Sequence, residues 1–514
     1  MLRKETIMKI LKSVLSFLLS VLLISAGLIF SSGAEDNADS VVSYYDGTVD
    51  LSWYDPAIYK TEYHITSAAQ LAGLSALVRN GAVLDKDFEP QHRVFEGVTF
   101  YLDCDIVWNT GDASEWGNTA PQYSWEPIGE VATPQYSNFE SVDPKDCLFF
   151  WGNFDGQGHI ISGLYCGDES AVWVGLFSVY CGEYIKNLSV VNSYFTGYSC
   201  VGSIAGYALG TVPKVLNANS DEYAQDLAAG NAAIYKNLYS DTLVEMPLDS
   251  FSRKRAGGLF GMMKLCDKSS CETKEKGGIM LTENCWVNGT VIADVDSTAG
   301  SRAGLITSIV RAYTNSSCYD MIFRNVLATG KIVATGTCNG AFIGEFFQTD
   351  SYLENCVCFP REAILSGSTK KTGNFTYGLP DNSSITDLQF VLKNCYMKAL
   401  NNGLPDIYVD PAKYPVSVTQ ITEPTAVSGL DSNIWYITSD SIGLLGIRTE
   451  LPKASEPETA ATEANVNSTA SETADNDNEK GCASVQHGVV LAAASVAAIM
   501  AIVKLPEKKR FVLK

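Results

Sequence analysis

Repetition constrains this chain before anything else does. A short strand-like segment recurs in which the third residue is Asn and the fourth is Leu, Val or Cys. It appears as Ile185-Lys186-Asn187-Leu188, Tyr235-Lys236-Asn237-Leu238 and Thr282-Glu283-Asn284-Cys285, then as Phe323-Arg324-Asn325-Val326, Leu353-Glu354-Asn355-Cys356 and Leu392-Lys393-Asn394-Cys395. A second element, x-Gly-x-apolar-x-Gly/Ser, recurs at Val201–Gly206, Ala256–Gly261, Ala303–Ser308 and Asn339–Gly344. Self-similarity at intervals of 30 to 50 residues points to a stacked array. A short strand of this kind buries one face only if a copy of itself lies above and below. Stacking would line up Asn187, Asn237, Asn284, Asn325, Asn355 and Asn394 as a structural ladder along one edge. There each amide can bond the next, and the residue after each Asn points into the core. The expected fold is mostly β, a parallel β-solenoid. The competing architecture is a β-sandwich with chance echoes.

The tract Phe154-Asp155-Gly156-Gln157-Gly158-His159-Ile160-Ile161-Ser162-Gly163-Leu164 is followed by Val174-Gly175-Leu176-Phe177, Ile185-Lys186-Asn187-Leu188 and Val201-Gly202-Ser203-Ile204-Ala205-Gly206. This succession resembles the GLUG-motif repeat proteins, bacterial surface proteins whose repeats also occur in the non-catalytic part of IgA-protease-type metallopeptidases. The opening from Ile65 to Val78, then Phe95 to Ile106 and Trp125 to Gly129, resembles the entry of such proteins. The resemblance covers residues 62 to 450 and is strongest from 148 to 208. It implies a right-handed parallel β-helix and is silent about function.

The flanks carry a different kind of information. Arg3, Lys4, Lys9 and Lys12 precede an apolar run from Leu15 to Phe30, and Ser32-Gly33-Ala34 follows. That order reads as a secretory signal peptide over 1–34. Residues 35–61 form an acidic, Tyr-rich leader. Ile65, Leu71, Leu74, Leu77 and Val78 share one side at helical spacing behind Thr66 or Ser67 as N-cap, so a short helix is expected to plug the open end of the solenoid. Val98, Phe100, Leu102, Cys104 and Ile106 alternate with more polar neighbours and read as one strand over 95–107. The ectodomain spans 62–450, with loop excursions expected at 210–255 and 266–277, and with the segment around 432–447 expected to close the far end. The stretch 451–481 is rich in Glu, Thr, Ala, Ser and Asn and reads as a disordered stalk. Residues 482–503 are long and apolar enough to be a transmembrane helix, and the basic tail 504–514 belongs inside. The expected location is the cell surface, exported and held in the membrane by that single C-terminal helix. No LPxTG motif precedes it.

Charge narrows the partners. A net charge of −21 argues against nucleic acid and against docking on anionic lipid. Among fourteen cysteines, Cys285, Cys356 and Cys395 stand where other repeats have Leu or Val and read as core residues. Cys266 and Cys271, in a polar stretch, are the disulfide candidates. No CxxC, HExxH or GxSxG motif occurs, so no metal, cofactor or catalytic triad is expected. Asp103 with Asp105, or Asp155 with Asp168, has the composition of a glycosidase pair, yet Asp155-Gly156 lies where the repeat itself wants Asp and Gly. Six of the eight tryptophans precede residue 174. Trp108, Trp116, Tyr123 and Trp125, set among amides and carboxylates, have the composition of a sugar platform and equally of a packed cap. The expected function is a non-enzymatic surface solenoid that displays loops for adhesion or for binding a glycan or a surface protein. The alternative is a polysaccharide lyase or glycoside hydrolase on the same scaffold.

Overall fold

The structure, a computed structural model, describes residues 41–58, 60–79, 95–131, 147–212, 232–246, 254–267, 278–293, 301–312, 319–347, 349–366, 372–378, 389–410 and 412–452. The chain divides into two units, 1–453 and 454–514. The expected signal peptide, transmembrane helix and tail, and all but the first two residues of the stalk, lie outside the described residues. Among the described residues no helix is long and apolar enough to cross a membrane.

The fold is mostly β and built on three parallel sheets. In the largest, the strands Glu62–Ile65, Thr99–Leu102, Asn153–Ser162, Tyr184–Thr196, Ala232–Glu245, Gly278–Val287, Tyr319–Ala328, Asp350–Glu354 and Phe390–Lys393 pair in succession. A second sheet stacks Phe177–Tyr180, Ala205–Val212, Phe260–Asp267, Thr307–Ala312 and Ile343–Phe347 in the same sense. A third stacks Trp173–Val174, Cys200–Val201, Arg255–Gly257, Arg302–Gly304 and Cys338–Asn339. Each strand thus neighbours its own counterpart one repeat on, an arrangement consistent with a β-solenoid. The x-Gly-x-apolar-x-Gly/Ser element bridges the third sheet to the second. Its first glycine is forced by crowding, since a Cβ on Gly257 would lie 2.0 Å from the Phe260 carbonyl oxygen.

Each ladder Asn sits at a bend. Asn187, Asn237, Asn284, Asn325, Asn355 and Asn394 all have φ between 53° and 55°, the left-handed region that Asn tolerates better than other side chains with a Cβ. The bend turns the next residue inward, so Leu188, Leu238, Cys285, Val326, Cys356 and Cys395 are buried in one continuous core. A thiol serves here as a small apolar group with a weak donor. Cys285 reaches the carbonyl of Tyr235, and Cys356 that of Phe323, each on the preceding rung.

Several boundaries differ from expectation. Residues 95–107 form two strands, Thr99–Leu102 and Asp105–Val107, because the chain turns a corner at Asp103 and Cys104. Ala232–Glu245, inside the stretch read as a loop, is a 14-residue strand paired in parallel along its length with Tyr184–Thr196, with one register shift between Val191 and Tyr194. The pair Cys266 and Cys271 is not decided, because Cys271 lies outside the described residues.

The helix Ala68–Arg79 caps the N-terminal end. Ser67 Oγ accepts from the Gln70 amide at 3.2 Å, while Gln70 Oε1 accepts from the Thr66 amide at 2.9 Å, a variant of the capping box. Leu71, Leu74 and Val78 are fully buried in the main core. At the opposite end, closure falls to Tyr414 and Val418.

The segment expected to close that end does something else. Thr419–Ile421 pairs with Tyr396–Lys398, and the chain then runs back along the outside of the largest sheet. Val427, Trp435, Ile442 and Leu444 cover an outward apolar column made of Ile160, Val191, Tyr239, Trp286, Leu327, Val357 and Tyr396. This strap contains the antiparallel pair Trp435–Ile437 and Ile442–Leu444. It ends with Arg448 at Asp105, far back toward the N-terminus.

One glycine tests the stacking at the first rungs. Gly163 has φ 82°, and an added Cβ would lie 2.1 Å from the Asn109 carbonyl oxygen. Gly163→Ala therefore combines left-handed strain with a backbone clash and is expected to cost about 2–3 kcal/mol. The urea midpoint measures it, and an unchanged midpoint would contradict the close approach of these coils.

Candidate functional site

Three features carry polar chemistry: the ladder, the Asp105 clasp and an N-terminal cleft. The ladder is a single chain of amides. Asn237 Nδ2 donates to Asn187 Oδ1 at 2.7 Å, Asn284 to Asn237 at 3.2 Å, and Asn325 to Asn284 at 3.0 Å. Asn355 then donates to Asn325 at 3.2 Å and Asn394 to Asn355 at 2.8 Å. At the N-terminal end Asn187 Nδ2 donates to Asp155 Oδ1 at 2.9 Å. At the other end Tyr396 Oη lies 2.8 Å from Asn394 Oδ1. A carboxylate at one end can only accept, so every amide is oriented the same way and the bonds polarise one another. Asp155 is thus the rung that precedes the first Asn.

The residue before each Asn forms an outward column of charge. Asp155 pairs with Lys186 at 3.2 Å, Lys236 with Glu283 at 2.6 Å, and Arg324 with both Glu283 and Glu354 at 3.3 and 3.4 Å. Lys393 closes the series on Glu354 at 2.6 Å. Sequence reading missed this column, although the alternation Lys236, Glu283, Arg324, Glu354, Lys393 is visible once the repeats are aligned on Asn. Exposed pairs of this sort add little stability singly; their effect is to favour correct register.

Asp105 is fully buried. Its two oxygens accept from Arg448 at 2.9 and 2.8 Å, and Oδ1 also takes the Ile160 amide at 2.9 Å and His159 Nδ1 at 3.1 Å. Burial pushes the carboxyl up, but the hydrogen bonds from His159 and Arg448 outweigh it and hold the group well below the usual carboxylate range. Ser189 Oγ donates to the Arg448 carbonyl at 2.5 Å. Beside this clasp, between strap and ladder, lies a cleft of about 460 Å³ lined by Asp155, Gln157, Asn187, Asn237 and Arg448.

The carboxylates weighed as a glycosidase pair are committed elsewhere. Asp103 holds His64 at 2.8 Å and Gln157 Nε2 at 2.5 Å. Asp155 ends the ladder, and Asp168 accepts from Ser170 in a local turn. Burial pushes Asp350 up to about 6, but that residue lines none of the clefts described here. Among the described residues no cluster of three or more His, Cys, Asp or Glu side chains has a metal-holding arrangement.

The N-terminal cleft, of about 570 Å³, gathers Trp108, Trp116 and Tyr123 with Tyr44, Tyr45, Asp46, Asp112 and Glu115. Trp125 faces a neighbouring cleft of about 810 Å³ with Arg79, Glu126 and Asp168. The tryptophans are consumed by packing. Trp108 stacks on Tyr45 at 3.6 Å and gives its Nε1–H to the Ser124 carbonyl. Trp125 packs edge-on against Trp108 at 4.9 Å and donates to the Gly175 carbonyl. Trp116 is buried against Tyr165. The open wall is therefore tyrosine: Tyr44, 64% exposed, with half-buried Tyr45 and Tyr123.

No protein-family model and no curated protein matches this chain. Among solved structures, the chain is similar to a "putative immunoglobulin A1 protease from Bacteroides ovatus". The identity is 16% and the TM-score 0.43, over 75% of this chain and 92% of that one.

Proposed function

We propose that this chain is a GLUG-type, right-handed β-solenoid exported to the cell surface, where its rigid body presents a tyrosine-walled cleft for a glycan ligand. The export signal over 1–34, the stalk over 451–481 and the anchor over 482–503 belong to this reading and rest on the sequence. Right-handed coiling follows from the strong preference of parallel crossovers for that hand. The carrying observation is the cleft beside Tyr44. Aromatic faces with adjacent carboxylates and amides stack on and hydrogen-bond to sugar rings, and a site set on a rigid scaffold needs little ordering on binding. The polysaccharide-cleaving alternative is disfavoured because Asp103, Asp105 and Asp155 are each engaged by protein partners.

A glycan array probed with the purified chain tests the reading. Tyr44→Ala, at an exposed position, should lower affinity for any bound glycan by about tenfold while leaving the unfolding midpoint unchanged. Equal binding by the variant would remove the cleft from the account. New reducing ends or unsaturated products during incubation would favour the enzyme instead.

A further inference from the structure

Cys356 and Cys395 occupy the same place on adjacent rungs. Leu353 and Glu354 pair with Leu392 and Lys393 on one side of them, and Val357 and Cys358 pair with Tyr396 and Met397 on the other. Of the asparagines just before them, Asn394 donates its side-chain N–H to Asn355 Oδ1 at 2.8 Å, and the Tyr396 amide donates to the Cys356 carbonyl at 2.9 Å. Both thiols face the main core. Neighbouring parallel strands lie about 4.8 Å apart, inside the Cα separation of about 4.4–6.8 Å that disulfides span, and the Cβ atoms, also about 4.8 Å apart, need to close by a few tenths of an ångström to reach the range of about 3.5–4.5 Å.

Other described cysteines face different residues. Cys166 is paired with Phe195, Cys200 with Trp173 and Arg255, Cys285 with Val326, Cys338 with Arg302, and Cys358 with Ala328 and Met397. Each thiol now reaches two carbonyls, Cys356 those of Phe323 and Glu354 at 3.4 and 3.5 Å, and Cys395 those of Leu353 and Lys393, both at 3.5 Å. Contact with the Cys356 thiol draws the Cys395 thiol below its usual value, which makes Cys395 the first nucleophile, while burial holds the Cys356 thiol well above its own. Access requires local opening at the end of the stack: among the described strands, Phe390–Lys393 pairs on one side only, with Asp350–Glu354, and on the other side the Thr419 amide covers the Cys395 carbonyl at 2.9 Å. Such a rung opens at lower cost than an interior one.

We propose that Cys356 and Cys395 are a redox-closed pair, joined by a small-molecule disulfide such as oxidised glutathione into an inter-rung disulfide that locks the last rung of the ladder. The Cys395 thiolate attacks one sulfur of the glutathione disulfide, whose S–S bond breaks and releases one glutathione. The Cys356 thiolate then attacks the Cys395 sulfur and displaces the second. Two protein thiols are oxidised, one glutathione disulfide is reduced to two thiols, and the two protons pass to those thiols.

The full chain is incubated with oxidised glutathione, denatured, blocked with N-ethylmaleimide and digested for mass spectrometry. The expected product is a linked peptide pair joining 356 to 395, lighter by two hydrogens than the separate peptides, with Cys358 carrying maleimide. In Cys356→Ala, Cys395 should instead retain glutathione. Maleimide on both Cys356 and Cys395 of the oxidised wild-type chain, or a link from either to a different cysteine, overturns the proposal without any variant having to fold.

Discussion

Arg448→Met will destabilise the protein by roughly 2–4 kcal/mol, somewhat less than the roughly 3–5 kcal/mol of a fully enclosed pair because Arg448 is partly exposed. The substitution deprives the buried Asp105 anion of its guanidinium partner, while His159 and the Ile160 amide still donate to it. It also unpins the strap, so the amides of Trp435–Leu444 should lose hydrogen-exchange protection before those of the large sheet. The acid response follows from linkage. Asp105 has a folded pKa held below its unfolded value, so its stabilisation is complete above about pH 4 and is lost as pH falls through the folded value. In Arg448→Met the folded pKa rises, and the same group contributes less of the acid sensitivity. Urea midpoints for both proteins from pH 7 downward measure this: the wild-type curve should fall more steeply below about pH 4. Parallel curves, or an unprotected strap in the wild type, would rule out the clasp.

The second large effect lies in the ladder. Asn325 is 5% exposed, donates to Asn284 and accepts from Asn355. Asn325→Ala removes both bonds, strands two neighbouring amide groups and places a methyl-bearing residue at φ 53°. With about 1 kcal/mol for each bond and about 1–2 kcal/mol for the left-handed backbone, the expected loss is roughly 3–4 kcal/mol. Asn325→Gly keeps the backbone conformation open while losing the same bonds, so it should fall less far. If alanine and glycine variants unfold alike, the bend is not what asparagine is there to make.

Which parts of this structure the sequence revealed follows a physical division. The six asparagines were legible because each rung solves the same local problem, and a repeated solution leaves a repeated letter. The N-terminal helix was legible because Leu71, Leu74 and Val78 bury one helical face against the core. Asp155 was read as a turn residue; its role as the ladder's terminal acceptor depends on Asn187, which lies beside it only after stacking. The strap was read as an end cap because Trp435, Ile442 and Leu444 advertise burial without saying against what. Arg448 and Asp105 are 343 residues apart, and nothing local marks them as partners. The tryptophans misdirect in a similar way, since a ring that packs and a ring that waits for a sugar have the same composition around them. Only exposure separates Tyr44 from Trp108.

Stacking itself is measured most directly by distance along the charged column. Spin labels carried on unnatural side chains at 186 and 354, and at 186 and 393, leave the native cysteines untouched. Four and five rungs at about 4.8 Å each place the backbone positions about 19 Å and about 24 Å apart, with the second pair one rung farther than the first. Separations that do not grow with rung number, or that exceed these by tens of ångströms, would contradict a solenoid in which each coil rests on the next.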